Sequence, residues 1–340
     1  MYFLLFYDIF ISTNISGSEK TKEMGRRKAK NKIKNWIISL IVLIFLGATG
    51  YYGIDYIDSS RAKITSSLSI ENSNLIDFNN DKLNIMFFYV GQADSTFIKL
   101  NDFTMLIDAG NNEDGTKIVE FLKEKGVNEL DYLVATHADE DHIGGIDDII
   151  KEIDSIGELF IPTIGSSGND YKNAIKEAND KGVVIENPVR GDTFYLGDAK
   201  CEIMSALEDE DVSDNDSSIV IEMTYNKTSY LFMGDAGKKV ESSRQWNRVD
   251  VLKVGHHGSD SSSTDDFLKQ VKPQYSVIEV GKNNSYNLPN SKAISRLESA
   301  GSKILRTDKA DGENPGSFLF TSDGNTIDIK EISITLDGNS

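Results

Sequence analysis

Residues 134–145, VATHADEDHIGG, put two imidazoles and three carboxylates between an apolar run and the start of a helix. The chain has only four histidines, and His137 and His142 stand here with Asp139, Glu140 and Asp141 between them. Polar residues at this density normally belong to a solvated loop. Yet LDYLVA, 130–135, reads as a buried strand, and IGGIDDII, 143–150, opens a helix. The cluster therefore sits at the C-terminal end of a buried strand, where α/β proteins usually place their sites.

The same arrangement recurs three times. FTMLI, 103–107, ends in Asp108-Ala109-Gly110; SYLFM, 229–233, ends in Gly234-Asp235-Ala236; VDVLKV, 249–254, ends in GHHGS with His256, His257 and Ser259. All four histidines fall in two of these clusters. Neutral imidazole and carboxylate are the ligands that Zn²⁺, Mn²⁺ and similar ions prefer. A carboxylate-rich set on two ions can polarise a phosphoryl oxygen and activate water near neutral pH. Singly, each cluster has a plainer reading: a His-His pair on a surface loop, an Asp-Ala-Gly turn or helix cap, a commonplace Gly-Asp-Ala. Four together, all at strand ends, point to a centre for one or two divalent ions, Zn or Mn.

Outward from the clusters, strands and helices alternate. LNIMFFYV, STFIKL and FTMLID read as three successive strands, followed by a helix at TKIVEFLKEKG that Gly126 closes. ELFIP, VVIE, KCEIMSA, SIVIEMTY, SYLFMGD, VDVLKVG and YSVIEVG read as further strands, with helices at IGGIDDIIKEI, DYKNAIKEANDKG, DDFLKQV and KAISRLESAG. KILRT, SFLFT and TIDIKE close the chain. The pattern predicts sheets covered by helices in one α/β (α+β) domain over 81–330, with a tail at 331–340. The acidic loop EDEDVSDND, 208–216, reads as a solvated turn.

The 340-residue chain has a net charge of −18; residues 1–60 hold eight Lys/Arg and five Asp/Glu, so the rest carries −21. That surface argues against non-specific coating of nucleic acid, without excluding a nucleic-acid substrate that meets a local basic rim. Lys238, Lys239, Arg244, Arg248 and Lys253, bracketed by the Gly-Asp-Ala and His-His motifs, are candidates for that rim, with Trp246 a core residue or a stacking surface. The lone Cys201 reads as a small buried hydrophobe.

At the N-terminus, Trp36–Ile54 runs 19 residues without a charge, about the length that spans a bilayer core. Arg26, Arg27, Lys28, Lys30, Lys32 and Lys34 precede it, and Asp55 and Asp58 follow. This predicts a short basic cytoplasmic segment, 1–35, a single-pass membrane anchor at 36–54, and a Ser/Asn-rich linker at 55–80, with the domain over 81–330 extracellular. The apolar core is long and no A-x-A site follows, which favours an anchor over a cleaved signal. The polar turn before Met24 suggests that translation starts there. No protein partner can be inferred.

HADEDH also matches the metal-binding signature of the metallo-β-lactamase superfamily. Together FFYVGQADSTFI, HADEDHIGG, NDSSIVI, LFMGDA and LKVGHHGS resemble the C-terminal hydrolase domain of ComEC-type competence proteins and its stand-alone relatives, from about Leu83 to Lys330. The resemblance implies an αββα sandwich with metals at one edge. It implies that His137 and Asp139 face a first metal, that Asp141 and His142 face a second, and that Asp235 bridges them. One of His256 and His257 completes the second site, and the other contacts substrate or orients a ligand. Gln92 and Asp94 match the loop lining the site floor, and Asp108 a strand-end Asp behind the ligands. Ser217 and Ser218 match the segment where lactamases proper carry a further histidine, so a β-lactamase is not expected. Lys253 and Ser259 join the surrounding or substrate-contacting set.

Three positions depart from the family pattern. Asp139 replaces a common His, Tyr89 replaces an Asp, and Tyr286-Asn287-Leu288-Pro289 lacks the usual His before Pro. The first metal set is correspondingly thin. The expected activity is metal-dependent hydrolysis of a phosphodiester, as a nuclease acting on DNA outside the membrane, with Asp141, Asp139 and His257 as catalytic groups. The alternatives are hydrolysis of another envelope phosphodiester or small ester, and a non-catalytic metal-binding module in DNA uptake.

Overall fold

The computed structural model describes residues 76–164, 167–207, 212–310 and 312–338. The expected basic segment, the Trp36–Ile54 anchor, the Met24 start and all but the last residues of the linker lie outside these. Among the described residues no helix is long and apolar enough to cross a membrane.

Two sheets form the body. The first holds β1 (Leu83–Phe87), β2 (Thr96–Leu100), β3 (Phe103–Ile107), β4 (Glu129–Val134), β5 (Ser155–Phe160), β6 (Val184–Glu186), β14 (Ser317–Ser322) and β15 (Ile327–Ile332), in the order β15-β14-β1-β2-β3-β4-β5-β6. The second holds β7 (Thr193–Leu196), β8 (Ala199–Ser205), β9 (Val220–Tyr225), β10 (Thr228–Phe232), β11 (Val251–Lys253), β12 (Tyr275–Ile278) and β13 (Lys303–Arg306), in the order β13-β12-β11-β10-β9-β8-β7. Each sheet is antiparallel on one side and parallel on the other: β3 to β6 run parallel in the first, and β10 to β13 in the second.

Period-two alternation sorts the strand residues into layers. In β1, Leu83, Ile85 and Phe87 face the second sheet, where they meet Ile221, Met223, Phe232 and Val251. Met86 faces the other way, onto Ile118, Phe121 and Leu122 of α1 (Gly115–Glu124) and Ile146, Ile149 and Ile150 of α3 (Ile146–Glu152). The second sheet's outer face, with Leu231, Met233 and Leu252, is covered by Phe267 and Leu268 of α6 (Asp265–Val271) and Leu297 of α7 (Ser291–Ser299). Helix, sheet, sheet, helix is thus the layer order, the αββα sandwich expected from the sequence. Phe87 is fully buried between the sheets, its ring 6.3 Å from Phe232 and 5.3 Å from Phe320. Phe87→Ala is expected to lower stability by about 3–5 kcal/mol, read as a shift of the denaturant midpoint at unchanged slope.

The structure differs from the sequence reading in four places. The strand expected over 83–90 leaves the ladder after Phe87, and residues 88–95 form the loop that carries Gln92 and Asp94. The helix expected over IGGIDDIIKEI is broken into α2 (Glu140–Ile143) and α3, with Gly144 and Gly145 between. A Cβ on either glycine would run into backbone, of Asn111 and Asn112 at Gly144 and of Ala109 and Gly115 at Gly145. The break therefore lets the loop after β3 pass against the metal-motif loop. The short edge strand β7 and the one-turn helix α5 (Lys238–Ser242) have too few periodic residues to be read in advance. Finally, β15 runs past the tail boundary to Ile332, and Ile334 and Leu336 are buried.

Candidate metal centre

The C-terminal ends of β3 and β4 in one sheet and of β10, β11 and β12 in the other converge on one edge of the sandwich. There the expected clusters meet. His137, His142, Asp235 and His257 are buried, while Asp141 and Asp139 are more exposed, with 30% and 43% of the side chain accessible. His142 Nε2 lies 3.2 Å from Asp235 Oδ1, and the His137 and His142 rings are 4.1 Å apart. His257 Nε2 lies 3.1 Å from Asp141 Oδ2 and 3.7 Å from Asp235 Oδ2.

Two sets of donor atoms at the front of the centre are each close enough to hold an ion, His137 with His142 and Asp235, and Asp141 with His142 and His257; two more include Asp94 behind them. His142 is common to both and has one free nitrogen, Nε2, because Nδ1 faces Asp108, so the two sets are alternatives for that ring. Asp139 lies to one side, its Oδ2 3.4 Å from His137 Nε2, and belongs to neither set.

The strongest sign of an ion is what the protein leaves undone. His137 Nε2, His142 Nε2 and Asp235 Oδ1 are buried and make no well-formed hydrogen bond, the last two facing each other at 3.2 Å. Buried polar atoms are almost always paired, so three convergent exceptions fit a divalent cation. The opposite faces of these ligands are tied down. Asp108, in left-handed backbone at φ 59°, accepts hydrogen bonds from Thr136 N–H at 2.7 Å and Thr136 Oγ1–H at 2.8 Å. Its Oδ2 also lies 2.8 Å from His142 Nδ1, which fixes the ring so that Nε2 points forward. His257 Nδ1 lies 3.0 Å from the Glu279 carbonyl oxygen, with the same effect.

The two adjacent histidines take different roles. Both adopt left-handed backbone, at φ 50° and 49°. His257 turns inward. His256 stays 31% exposed at the mouth, between Asn215 Nδ2 at 3.3 Å and Ser261 Oγ at 3.2 Å, its Nε2 3.7 Å from Asp235 Oδ2. Burial lowers the His256 pKa, which keeps that imidazole neutral. In the metal-free site, burial would raise Asp141 and Asp235, but the imidazoles reverse this. His142 and His257 hold Asp141 at about 2, and with His137 they carry Asp235 well below the usual carboxylate range. Burial works against charge on His142, and Asp235, Asp108 and Asp141 push its pKa well above the ordinary value.

The remaining expected residues have supporting places. Ser218 Oγ accepts the Asp235 N–H at 3.1 Å, and Ser217 Oγ donates to the Asp214 carbonyl at 2.6 Å. Gln92 Oε1 accepts the Gly281 N–H at 3.1 Å, and Ser259 Oγ is bonded to Ser261. Lys253 is 3% exposed and bonded to Asp94, so it is no part of a phosphate-facing rim. Lys238, Lys239 and Arg248 are exposed. Arg244 is half-buried, donates to the Met204 carbonyl and lies over Trp246. Trp246 is core: 6% exposed, edge-on to Phe267, with its indole N–H donating to the Glu241 carbonyl. Leu288, at the position where the family pattern usually has a histidine, packs half-buried against the outer apolar layer of the second sheet. Thr136, Asn215, Ser261 and Glu279 were not singled out in the sequence. Of these, only Glu279 left a signal, a carboxylate inside the apolar run YSVIEVG.

The family model for the metallo-beta-lactamase superfamily matches residues 88–281. ComE operon protein 3 of Bacillus subtilis is 33% identical over 242 residues, which cover 65% of this chain and 31% of that protein. Recombination protein 2 of Haemophilus influenzae is 30% identical over 225 residues, covering 64% of this chain and 27% of that protein. The chain thus spans under a third of the length of these two relatives. Among solved structures, the metallo-beta-lactamase fold protein YhfI from Bacillus subtilis aligns with a TM-score of 0.49 at 9% identity, over 70% of this chain and 100% of its own.

Proposed function

The chain belongs to the metallo-β-lactamase superfamily, and we propose that within it this protein is a metal-dependent phosphodiesterase that cleaves DNA outside the membrane. The observation that carries the metal-dependent part is the convergence of three buried atoms, His137 Nε2, His142 Nε2 and Asp235 Oδ1, that face one another and make no well-formed hydrogen bond to the rest of the protein. The preference for DNA is drawn from the resemblance to ComEC-type competence proteins and from the relative named recombination protein 2.

His142, with His137 and Asp235 or with Asp141 and His257, would hold one ion through Nε2, and a second would draw on the donors that remain, with Asp139 at the edge beside His137. A divalent ion bound here supplies Lewis-acid polarisation of the phosphoryl oxygen and lowers the pKa of water. The protein groups do the positioning. Asp141, partly exposed and ionised, accepts a proton from the attacking water. His256, exposed at the mouth and steadied by Asn215 and Ser261, donates a hydrogen bond to a non-bridging phosphate oxygen. Lys238, Lys239 and Arg248 form the remaining basic rim that meets the phosphate backbone on an otherwise acidic surface. The Trp36–Ile54 anchor would hold the domain on the outer face of the membrane.

The test uses the purified full chain, stripped of metal and reloaded with Mn²⁺ or Zn²⁺. It is assayed on single-stranded DNA, double-stranded DNA and a small aryl phosphodiester, with and without chelator. DNA cleavage is expected with metal and is expected to fall to background on chelation, with a lower melting temperature in the stripped protein. Turnover of the small diester alone would move the substrate to a smaller envelope component. Firm metal binding without any turnover would leave a binding module.

A further inference from the structure

Behind the metal-facing groups lies a buried charge network that the proposed hydrolysis does not use. Lys253 closes β11, and its ammonium is bonded to Asp94 Oδ2, from the loop after β1 in the opposite sheet. Asp94 is 2% exposed and Glu279, which follows β12, is 1% exposed. The Glu279 carboxylate accepts from Ser95 N–H and Thr96 Oγ1–H, both at 3.1 Å. Lys253 and Glu279 therefore tie the second sheet to the Asp94 loop of the first.

Asp94 reaches both metal-facing imidazoles from behind. Its Oδ1 lies 3.2 Å from His257 Nδ1 and has no hydrogen-bond partner; its Oδ2 lies 3.7 Å from His142 Nδ1. Its oxygens are also near enough to complete a three-donor set with Asp235 and His257, or with Asp108 and His142. A cavity of about 10 Å³ lined by Asp94, Asp108, Lys253 and Glu279 adjoins them, room for about one water. So many buried carboxylates require a neighbouring positive charge, and the buried cation beside Asp94 is the Lys253 ammonium.

We propose that Lys253 is a positioning residue acting as a resident cation: its ammonium takes the place in which Asp94 would otherwise recruit a further metal ion, and so keeps Asp94 behind His257 and out of the ligand set. This rests on the metal-centre reading of the front groups. Lysine suits the task because it is a compact point charge on an apolar stem that the interior can bury.

The test is a Co²⁺ titration of the metal-stripped full chain, following bound metal per chain and the visible absorption spectrum. Lys253→Met is expected to bind one more Co²⁺ than wild type, with an added absorption band. Asp94→Asn on that background is expected to remove the extra ion, and Lys253→Arg to restore wild-type stoichiometry and spectrum. Wild-type stoichiometry and spectrum in Lys253→Met would overturn the inference. An ion bound by Lys253→Met but none by wild type would sink the metal-centre reading and still support the resident cation; no binding by either overturns both. Should Lys253→Met fail to fold, Lys253→Met/Glu279→Gln conserves the net charge of the network and is judged by the same two outcomes.

Discussion

Asp141→Asn is expected to reduce metal-dependent DNA cleavage by about 10²–10⁴-fold while DNA affinity changes only severalfold, measured by single-turnover cleavage beside a binding titration. Asp141 combines two properties that the other carboxylates at the centre do not share. It is open to the mouth, and its Oδ2 is 3.1 Å from His257 Nε2. Asp235 is buried, and Asp139 contacts only His137 among the histidines. Although burial would raise its pKa, His142 and His257 hold it at about 2, so it is ionised wherever the enzyme works. Asparagine keeps the shape, loses the charge and cannot take a proton. In the metal-free chain the depressed pKa has a second consequence. The ionised carboxylate contributes stability above its ordinary value of 3.8, and this is lost as pH falls toward 2. Asp141→Asn should therefore cost stability near pH 6, and the cost should shrink as pH falls from 3.8 through 2. Cleavage by the variant at the wild-type rate would remove Asp141 from the mechanism.

How much of this was legible in the sequence depends on the range of the interaction. Strand ends were readable because apolar runs stop abruptly at Asp108, Thr136, Gly234 and Gly255, and the cluster positions follow from that. The layer order was readable from alternation in runs such as LNIMF. Which of two adjacent histidines faces the ions was not. His256 and His257 share the same left-handed backbone, and what separates them is the Glu279 carbonyl on one side and Asn215 on the other. Lys253 reads as part of the basic rim as well as of the groups around the ligands, and the rim reading fails for a related reason. Lysine is normally exposed, and its partner Asp94 lies 159 residues away. A lysine inside VLKV and a glutamate inside VIEV are two charges in apolar strands. Taken as a pair, they would have pointed to each other.

The second large effect concerns the residue behind His142. Asp108→Ala is expected to lower the stability of the metal-free chain by about 3–5 kcal/mol and to weaken metal binding by about 10–100-fold. Asp108 is 1% exposed and satisfies three donors, Thr136 N–H, Thr136 Oγ1–H and His142 Nδ1. Alanine would leave the Thr136 N–H and His142 Nδ1 buried without this acceptor and Thr136 Oγ1 with His137 Nδ1 at 3.2 Å, next to a ring whose positive charge Asp108 helps to stabilise. The backbone adds to this, since at φ 59° aspartate is tolerated better than alanine. Denaturant unfolding and a Co²⁺ titration separate the two effects when Phe87→Ala is run alongside. That variant should lose a similar amount of stability by opening a cavity between the sheets, yet keep wild-type metal affinity, because Phe87 packs on Phe232 and Phe320 in the core between the sheets. Asp108→Ala should move both quantities. If it moved stability alone, the hold on His142 would be structural only, and the imidazole would find its metal-facing orientation from the packing of His137 and Thr136 around it.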